Sequence, residues 1–392
     1  MSFKNEVLET YFRNHVQMKC DETKKSVGIV MPVIDKILRE IKKKDSRFTV
    51  QPVYAGSHWQ NLKVERADEF DVSVILSLPE TSSRCSDPLR CFGFDRDVDD
   101  PLKSIPYDLQ IIRGPRSLPS PPPGYCCWKL QENESPPMPS WSNLTNMTFD
   151  GYLVPFLVKK QFHGLLNEAI RDLNLQKTVS MRGRVNGPAL TIRIAQQGHF
   201  CIDVDFSVIT EAFLPFPSEI QWPHRNAKWP SLEKVVDIRG TGVQTVAKKN
   251  FDWIISFLKA EKKLIENIDS DGGCRKKSHR IMKKLNEDVW CDTTSRVITS
   301  YCLKNILFWE CEDSPYSEDW SVDKLSVRVT SMIERVKKAA QARSLPMYFN
   351  PAVNLLQDKD CRELDIAVKK ISDFMKCPDK SFMKRGVLPI SK

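Results

Sequence analysis

Two acidic residues one position apart are the side chains of this chain best suited to metal-assisted chemistry. Glu69 and Asp71 open the segment Glu69–Leu76, whose apolar pattern predicts a strand. Side chains alternate between the two faces of a strand, so both carboxylates share one face while Phe70 and Val72 point into a core. Adjacent carboxylates repel each other unless a cation lies between them, and hard divalent cations such as Mg²⁺ prefer oxygen ligands of this kind. The pair therefore predicts a divalent metal site.

A glycine–serine pair lies upstream of these acids. Gly56 and Ser57 fall within the run Tyr54–Trp59, and Glu69 follows about a dozen residues later. Glycine permits a tight turn, and such a turn presents backbone N–H groups and, here, a hydroxyl to a phosphate. The two segments together predict a site for a metal–nucleotide complex.

A third carboxylate on a neighbouring strand would complete this site. Asp203 and Asp205 share one face of the segment His199–Val208, where they alternate with apolar residues. A lone strand aspartate often lies at an edge or on the surface, but the apolar flanks favour a central strand, where a buried acid needs a partner. Glu69 and Asp71 with either aspartate would give the three-carboxylate, two-metal arrangement that serves phosphoryl and nucleotidyl transfer.

The surrounding elements predict a mixed α/β part followed by a helical part. An amphipathic helix over 32–44 has Pro32 in its first turn, and a helical segment over 3–16 precedes it as part of one long or broken N-terminal helix. Prolines crowd the segment 80–142 and disfavour long helices and central strands there. We predict the two parts at 1–230 and 231–392. The further predicted elements are a strand at 50–55, a helix at 150–173, a strand pair at 189–194 and 199–208, and helices at 251–263, 280–289, 297–310 and 322–343.

Composition is typical of a globular protein without membrane spans. The chain has 392 residues, of which 41% are hydrophobic and 28% charged, and its apolar runs are too short to cross a bilayer. The N-terminal residues lack the apolar core of a signal peptide. Twelve cysteines at irregular spacing fit a reducing compartment. The expected location is the cytoplasm.

Basic residues concentrate in two clusters, although the net charge of +9 is moderate. One lies on the N-terminal helix and the other where the helical part begins. Each could be a solvated helix face, but together they favour contacts with nucleic-acid phosphates that read duplex shape instead of sequence. The candidate nucleic-acid-binding residues are Lys36, Arg39, Lys42 and Lys43, with Lys44 beside them, and Arg275, Lys276, Lys277 and Arg280, with Lys284 beside them.

The order of these motifs resembles the nucleotidyltransferase superfamily, in which a Gly-Ser pair precedes an acid–hydrophobe–acid strand and a distant third acid. The finer resemblance is to the family of cyclic GMP-AMP synthase and its animal relatives, the cGAS-like receptors. It extends from the N-terminal helix to about residue 355. The stretches that carry it lie at 55–59, 67–72, 204–207, 253–257, 300–304, 308–311 and 347–351.

The resemblance implies an α+β, bilobal nucleotidyltransferase fold. A mixed β-sheet catalytic lobe would carry an N-terminal spine helix, and a helical lobe would follow it. The family pattern selects Asp205 over Asp203, so Glu69, Asp71 and Asp205 would be the catalytic residues and hold two Mg²⁺ ions, or Mn²⁺ in their place. The residues implied to bind nucleotide are Gly56, Ser57, Ser207, Lys283, Ser300 and Tyr301.

Four of these positions carry specific implied roles. Ser57, Lys283 and Ser300 would bind phosphates, and Tyr301 would stack on a base. The structural alternatives to these roles are a solvated helix residue for Lys283 and a core residue for Tyr301.

The chain departs from the vertebrate enzyme in two places. The interval that holds a zinc site there contains only Cys274 and His279 as ligand types, and two ligands do not make a tetrahedral zinc site. We therefore expect no zinc and a closer fit to the invertebrate-type receptors. Ile254 replaces a base-contacting arginine, which leaves the nucleotide order and the phosphodiester linkage open.

The resemblance implies an enzyme that nucleic acid activates. It would join ATP and GTP into a cyclic dinucleotide of the cyclic GMP-AMP type, an antiviral second messenger of innate immunity. Without a zinc thumb, double-stranded RNA is favoured over DNA as the activator; no membrane partner is expected, and a homodimer on the duplex is a further expectation. The alternatives are a catalytically silent developmental or scaffolding member of the same fold and an enzyme that makes a linear product.

Overall fold

The chain is described here by a computed structural model. The residues that it describes are 4–18, 20–54, 56–64, 66–77, 107–110, 123–130, 146–149, 152–183, 189–195, 201–212, 220, 222–223, 227–248, 251–291, 297–378 and 382.

The N-terminus forms a broken helical spine. Helix α1 (Asn5–Tyr11) continues into a π-helical turn (Phe12–Val16), and helix α2 (Cys20–Lys44) follows. The expected spine is confirmed, but α2 begins at Cys20, so Pro32 lies inside the helix and not in its first turn. Proline removes one backbone hydrogen bond there. The buried stripe from Val30 to Ile41 offsets that loss because it packs into the core.

One continuous mixed sheet forms the centre of the first lobe among the described residues. Strand β9 is its axis: it pairs in parallel with β2, and antiparallel with β8 along its first half and β10 along its second. From one edge the order runs β1-β2-β9-β10-β11-β4-β6-β5, with β3 on β4 and β7 on β8. The strands are β1 (Val53–Tyr54), β2 (Glu69–Ile75), β3 (Tyr107–Gln110), β4 (Tyr125–Leu130), β5 (Thr148–Phe149), β6 (Tyr152–Leu153), β7 (Val179–Arg182), β8 (Leu190–Ala195), β9 (Cys201–Ala212), β10 (Val243–Val246) and β11 (Trp253–Ser256).

Helices cover this sheet and build the second lobe. Helix α3 (Pro155–Asp172) packs with α2 against the sheet in one core. A second core joins α1 to the C-terminal helices. The remaining helices are α4 (Leu232–Arg239), α5 (Leu258–Ile265), α6 (Arg275–Leu285), α7 (Ser300–Asp313), α8 (Leu325–Ala342) and α9 (Cys361–Lys376), with a π-helical turn at Asn286–Trp290 and 3₁₀ turns at Ser317–Trp320 and Val322–Lys324.

The expected bilobal α+β architecture is confirmed, with a second local correction besides the start of α2. The segment expected to be a helix over 251–263 begins as strand β11, which pairs with β10 and β4, and becomes helical only in α5. Trp253 and Ile255 are buried while their neighbours are half-buried, which is the alternation of a strand. Strands β10 and β11 extend the sheet beyond residue 230, and the division of the two parts at that residue stays a prediction.

In the part of the chain that the structure describes, no helix is both long and apolar enough to cross a membrane.

Candidate active site

Asp71 and Asp205 face each other across two parallel strands. They are register partners in the β2–β9 pairing, and Glu69 is the partner of Asp203 two residues earlier. Phe70 and Val204 are buried on the other face of the same strands. The alternation expected from sequence thus places all four acids on one face of the sheet.

Asp203 and Asp205 have different partners on strand β8. Arg193 donates from Nε and Nη2 to the two carboxylate oxygens of Asp203, at 2.6 and 2.5 Å. Asp205 accepts one hydrogen bond, 2.5 Å long, from the hydroxyl of Thr191. A bidentate guanidinium neutralises a carboxylate, whereas a hydroxyl leaves its negative charge in place. Asp205 therefore retains the charge that a cation would need.

Glu69 is held by a lysine that the sequence interpretation did not include. The ammonium of Lys63 lies 2.8 Å from Oε2 of Glu69 and 3.3 Å from Oδ1 of Asp68. The Lys63 side chain is only 9% exposed. Burial opposes its charge, but the attraction of Glu69 and the hydrogen bond to it raise the pKa of Lys63 above its ordinary value. Lys63 is therefore a cation fixed at one end of the acidic face.

The remaining acids carry excess negative charge. Burial, followed by the charges of Glu69 and Asp205, raises the pKa of Asp71 to about 6. Burial also raises the pKa of Asp205, against the hydrogen bond from Thr191. Perturbation of this kind is concentrated at functional sites, because structural carboxylates are normally neutralised by a partner.

The glycine of the Gly-Ser pair lies directly against Asp71. Gly56 has φ +93°, and a Cβ placed on it would be 2.0 Å from Oδ2 of Asp71. A glycine is therefore needed both for the backbone conformation and for the space. Ser57 follows at the start of the turn that Leu62 closes through its N–H to the Ser57 carbonyl. The turn therefore lies directly against Asp71, and its role in nucleotide binding stays a prediction.

The donor set fits a hard divalent cation, although the ligands are not gathered around one point. Three carboxylates on one face supply oxygen ligands, and a dication would relieve the repulsion that raises the pKa of Asp71. Among the described residues, no three or more His, Cys, Asp or Glu side chains are grouped closely enough to hold an ion. The contacts account for this: Glu69 is turned to Lys63 and Asp205 to Thr191.

Two basic residues of the helical lobe, Lys283 and Lys304, interact electrostatically with the acids. Lys283 on α6 is buried; its pKa is lowered by burial and by Lys63, against the attraction of Glu287, Glu69 and Asp71. The alternative interpretation of Lys283 as a solvated helix residue is therefore wrong. A lysine held among acids in this way can contact phosphate as a point charge.

Tyr301 on α7 is held in a buried polar network. Its hydroxyl donates to Oε1 of Glu261 at 2.8 Å, and Lys304 binds the other oxygen of that carboxylate at 2.5 Å. The Lys304 ammonium also lies 3.5 Å from the side-chain carbonyl of Gln60, in the turn after Ser57. The network thus connects the helical lobe to the Gly-Ser turn.

The two predicted nucleotide-binding serines occupy different settings. Ser207 lies on β9 opposite Ser73, on the same face as Asp205 and half-buried. Ser300 is exposed and begins helix α7, whose N-cap is Thr299. That Ser207 and Ser300 contact a nucleotide stays a prediction.

The N-terminal basic cluster is exposed but partly paired. Arg39 bonds Asp35 at 3.0 Å and Lys43 bonds Glu40 at 2.8 Å, while the ammonium of Lys42 donates to the carbonyl of Ser46. These are weak surface contacts that a phosphate can replace. Lys36 is exposed on the same helix. Duplex binding by these four residues stays a prediction.

The second basic cluster is mostly internal, which corrects the prediction for Arg275. That side chain is 4% exposed, bonds Asp271 at 2.8 Å and lies over the ring of Trp320. A buried, paired guanidinium is not available to a duplex. Arg280 is half-buried and donates to the carbonyls of Lys63 and Val16, each at 3.2 Å.

Two lysines complete that cluster. Lys277 is half-buried and bonds Glu9 at 2.8 Å. Lys276 is half-buried as well, and its backbone N–H donates to Asp269. Their contact with nucleic acid stays a prediction. Within this run, Lys277 and Arg280 hold the N-terminal segment, through Glu9 and the carbonyl of Val16.

Sequence reasoning missed Lys63, Lys304 and Glu261. No local pattern marks them, because each becomes relevant through a contact across the fold. Glu261 alone carried a weak signal: it is an acid within the predicted helix 251–263, one turn from apolar residues of that segment.

Comparison with known proteins gives matches along most of the chain. The family described as "Mab-21 protein nucleotidyltransferase domain" matches residues 58–267, and the family described as "Mab-21 protein HhH/H2TH-like domain" matches residues 274–373. "Protein mab-21-like 3" of Danio rerio is 30% identical over 389 residues, which are 95% of this chain and 97% of the relative. "Protein mab-21-like 3" of Xenopus laevis is 27% identical over 378 residues, 96% of each chain. "Protein mab-21-like" of Drosophila melanogaster is 22% identical over 379 residues, 93% of this chain and 91% of the relative.

Proposed function

This chain belongs to the Mab-21 family of nucleotidyltransferase-fold proteins, and on that premise we propose that it catalyses metal-dependent nucleotidyl transfer at the Asp71–Asp205 strand pair. The resemblance to cyclic GMP-AMP synthase holds at the level of the superfamily, while the relatives are Mab-21-like proteins.

The observation that carries the proposal is the register of Asp71 with Asp205 beneath Gly56. Two carboxylates are opposed on one sheet face, neither has a guanidinium partner among its described contacts, and the glycine of a turn lies against one of them, Asp71. Keeping such a pair costs stability, since burial and neighbouring carboxylates raise the pKa of both acids. A site that only needed to fold would neutralise them.

Glu69, Asp71 and Asp205 are the residues that would hold two divalent ions. Bound Mg²⁺, or Mn²⁺ in its place, would favour ionisation of an attacking ribose hydroxyl and stabilise the leaving pyrophosphate. The chain's own contribution is to place the acids on one face and to bring the Gly56–Ser57 turn over them. Lys283 approaches from the helical lobe, where it would bind phosphate.

We further propose a base-stacking role for Tyr301. The hydrogen bond to Glu261 fixes the hydroxyl end of the ring, so the ring keeps one orientation. Ser207 lies on the same strand face as Asp205, and Ser300 lies at the first turn of α7 beside Tyr301. These positions support a nucleotide that spans the seam between the lobes.

For the product we propose a cyclic dinucleotide made from ATP and GTP in two successive transfers, acting as a cytoplasmic second messenger in antiviral defence. The support is the ordered set of motifs in both lobes, which resembles the cyclic GMP-AMP synthase family. Ile254 is half-buried on β11 and cannot donate hydrogen bonds to a base. The product assay described below therefore has to identify the phosphodiester linkage.

For the activator we propose double-stranded RNA, bound along the exposed face of α2. Lys36, Arg39, Lys42 and Lys43 support this surface because they follow one another along a single solvent-exposed helix. Replacing the four with glutamine should weaken duplex binding and flatten its salt dependence. If the salt dependence of duplex binding did not change, the duplex would bind another surface, such as the one that carries the half-buried Lys276 and Lys277.

The decisive experiment is a product assay by mass spectrometry. The protein is incubated with ATP, GTP and Mg²⁺, alone and with long duplex RNA or duplex DNA. We expect a cyclic dinucleotide that forms in the presence of a duplex and disappears in the Asp71→Asn variant. If no nucleotide mixture yields any product with any duplex, catalysis is refuted for this chain; a linear product would refute cyclisation alone.

A second candidate function is a catalytically silent binding or scaffolding protein of the same fold. It is favoured by the contact between Lys63 and Glu69, which supplies a cation from the protein itself. Metal binding separates the two functions, because a silent protein should bind no Mn²⁺ in a manner that depends on Asp71.

A further inference from the structure

The ammonium of Lys63 lies where it competes for a proposed metal ligand. Its Nζ is 2.8 Å from Oε2 of Glu69, which is ordinary charge-assisted hydrogen-bond length. The pair is not a chance surface contact, because the Lys63 side chain is 9% exposed while Glu69 is 52% exposed. The lysine is thus the fixed partner, and the glutamate is the one that solvent reaches.

The backbone around Lys63 is held by both lobes. Leu62 is buried in the core of the sheet lobe, while Val64, on the other side of Lys63, is buried in the helical core. The guanidinium of Arg280 donates to the Lys63 carbonyl from helix α6. Lys63 therefore cannot move away with one lobe alone, and its ammonium is held at the acidic face.

The charges that face Lys63 come from several elements. Glu69 and Asp68 are its direct partners at the start of β2. Lys63 also acts electrostatically on Asp71 and Asp205, whose pKa values it lowers against the effect of burial, and on Lys283 of α6 and His58 of the Gly-Ser turn. Lys63 thus lies at the end of the acidic face where Glu69 is, and Asp205 with Thr191 lies at the other end.

We propose that Lys63 is a built-in counter-cation that competes with the divalent metal for Glu69, so that loading the site with metal requires the Lys63–Glu69 ion pair to open. The inference rests on the proposed function, since it assigns a role to Lys63 at the same three acids. Lys63 is a positioning residue: it acts on Glu69, and it holds the site in a resting state when no metal is bound.

The physical reason is electrostatic. A dication bound by Glu69 would lie within roughly 5 Å of the ammonium, and two positive charges at that distance repel even when water screens them. The repulsion corresponds to about tenfold in metal affinity at the dielectric constant of water, and to more at a partly buried site.

The test is Mn²⁺ binding measured by electron paramagnetic resonance on the full chain without nucleotide. Lys63→Met should bind Mn²⁺ at least about tenfold more tightly than the wild type. Lys63→Arg keeps the charge and should bind like the wild type. Lys44→Met is the matched control, because Lys44 also bonds two carboxylates, Asp172 at 2.7 Å and Glu168 at 3.6 Å, and its loss changes the net charge equally.

A second measurement uses the wild type and does not depend on a variant that folds. Acetylation of individual lysines, followed by mass spectrometry, reports how often each ammonium leaves its partner. Adding Mg²⁺ should increase the labelling of Lys63 and leave Lys44 unchanged. In Asp71→Asn the increase at Lys63 should be lost.

The outcomes separate this inference from the proposed function. If Mn²⁺ affinity depends on Asp71 but is equal or lower in Lys63→Met, and Mg²⁺ leaves the labelling of Lys63 unchanged, the inference fails while the metal site stands. If neither the wild type nor Lys63→Met shows Mn²⁺ binding that depends on Asp71, both fail. Tighter binding in Lys63→Met together with a wild-type value in Lys44→Met supports the inference.

Discussion

Gly56 and Asp71 touch so closely that the site has no room for even a methyl group between them. A Cβ on Gly56 would lie 2.0 Å from Oδ2 of Asp71 and 2.9 Å from its Cβ. The contact joins the turn that is proposed to bind phosphate to the acid that is proposed to bind metal. Each therefore constrains where the other can be.

Gly56→Ala should displace the Asp71 carboxylate and lower both stability and the proposed activity. The left-handed φ and the steric overlap both destabilise the folded variant, so we expect a loss of about 2–4 kcal/mol in the free energy of unfolding. Gly272→Ala is the matched control: its φ is +77°, but nothing lies within 4 Å of the added Cβ. Urea denaturation of both variants separates the steric part from the backbone part. Equal losses would show that the contact with Asp71 does not matter.

Asp71→Asn should stabilise the metal-free protein at alkaline pH. Burial and the neighbouring acids raise the pKa of Asp71 from 3.8 to about 6, so the folded state binds the proton more tightly than the unfolded state. The cost of ionising Asp71 in the fold is absent below about pH 4, grows as the pH rises, and is complete above about pH 6. The variant should therefore gain about 1–3 kcal/mol at pH 8 and almost nothing at pH 4.

Asp45→Asn is a control of opposite sign for that experiment. Burial works against ionisation of Asp45, but hydrogen bonds from Arg47 lower its pKa below the ordinary value. Its carboxylate therefore contributes stability at neutral pH that is lost as the pH falls through the folded-state pKa. The variant should be less stable than the wild type at pH 8. A loss of stability at pH 8 in Asp71→Asn would contradict the assigned pKa.

Asp205→Asn and Asp203→Asn should differ in the product assay. Asp205 faces Asp71, so we expect the first variant to lose at least about a hundredfold in product formation. Asp203 is neutralised by Arg193, so the second should retain activity within a few-fold of the wild type and lose some stability. If the two variants lose activity equally, Asp203 shares the metal-binding role.

His279 should make stability fall in mild acid. It is 2% exposed, and burial together with the charges of Lys283 and Lys304 lowers its pKa from 6.5 to about 3. Between these values the unfolded state binds a proton and the folded state does not, so stability declines by about 1.4 kcal/mol per pH unit as the pH falls below 6.5. Urea denaturation at pH 7, 6 and 5 should show a shallower decline in His279→Gln. Parallel curves would exclude this contribution.

Arg280→Met should loosen the N-terminal segment. The guanidinium connects the carbonyls of Val16 and Lys63 and lies 4.9 Å from the Phe12 ring centre. Its loss should cost about 1–3 kcal/mol and speed amide hydrogen exchange over residues 5–16. Arg39→Met is the control: its ion pair with Asp35 is exposed, and it should cost at most about 0.5 kcal/mol. Unchanged exchange in Arg280→Met would refute the coupling.

Much of the sheet lobe could be predicted because its signals are local. The alternation of Glu69, Phe70 and Asp71 fixed a shared face before any tertiary contact was known, and the strand pair at β8 and β9 was predicted within a few residues. The start of α2 was missed because proline was read as a helix start, whereas core packing tolerates it inside the helix. Strand β11 was missed because four residues are too few for periodicity to separate strand from helix.

The sequence by itself determined the acids, the glycine turn and the two-lobed order of elements, because each is written in residue type and spacing along one segment. Only the tertiary structure decided which charges are neutralised. In the fold, Arg193 pairs with Asp203, Lys63 with Glu69, and Arg275 with acidic side chains. Asp71 and Asp205 instead face each other across two strands. Charge pairing depends on distances of a few ångströms between segments far apart in the chain, and no local pattern contains those distances.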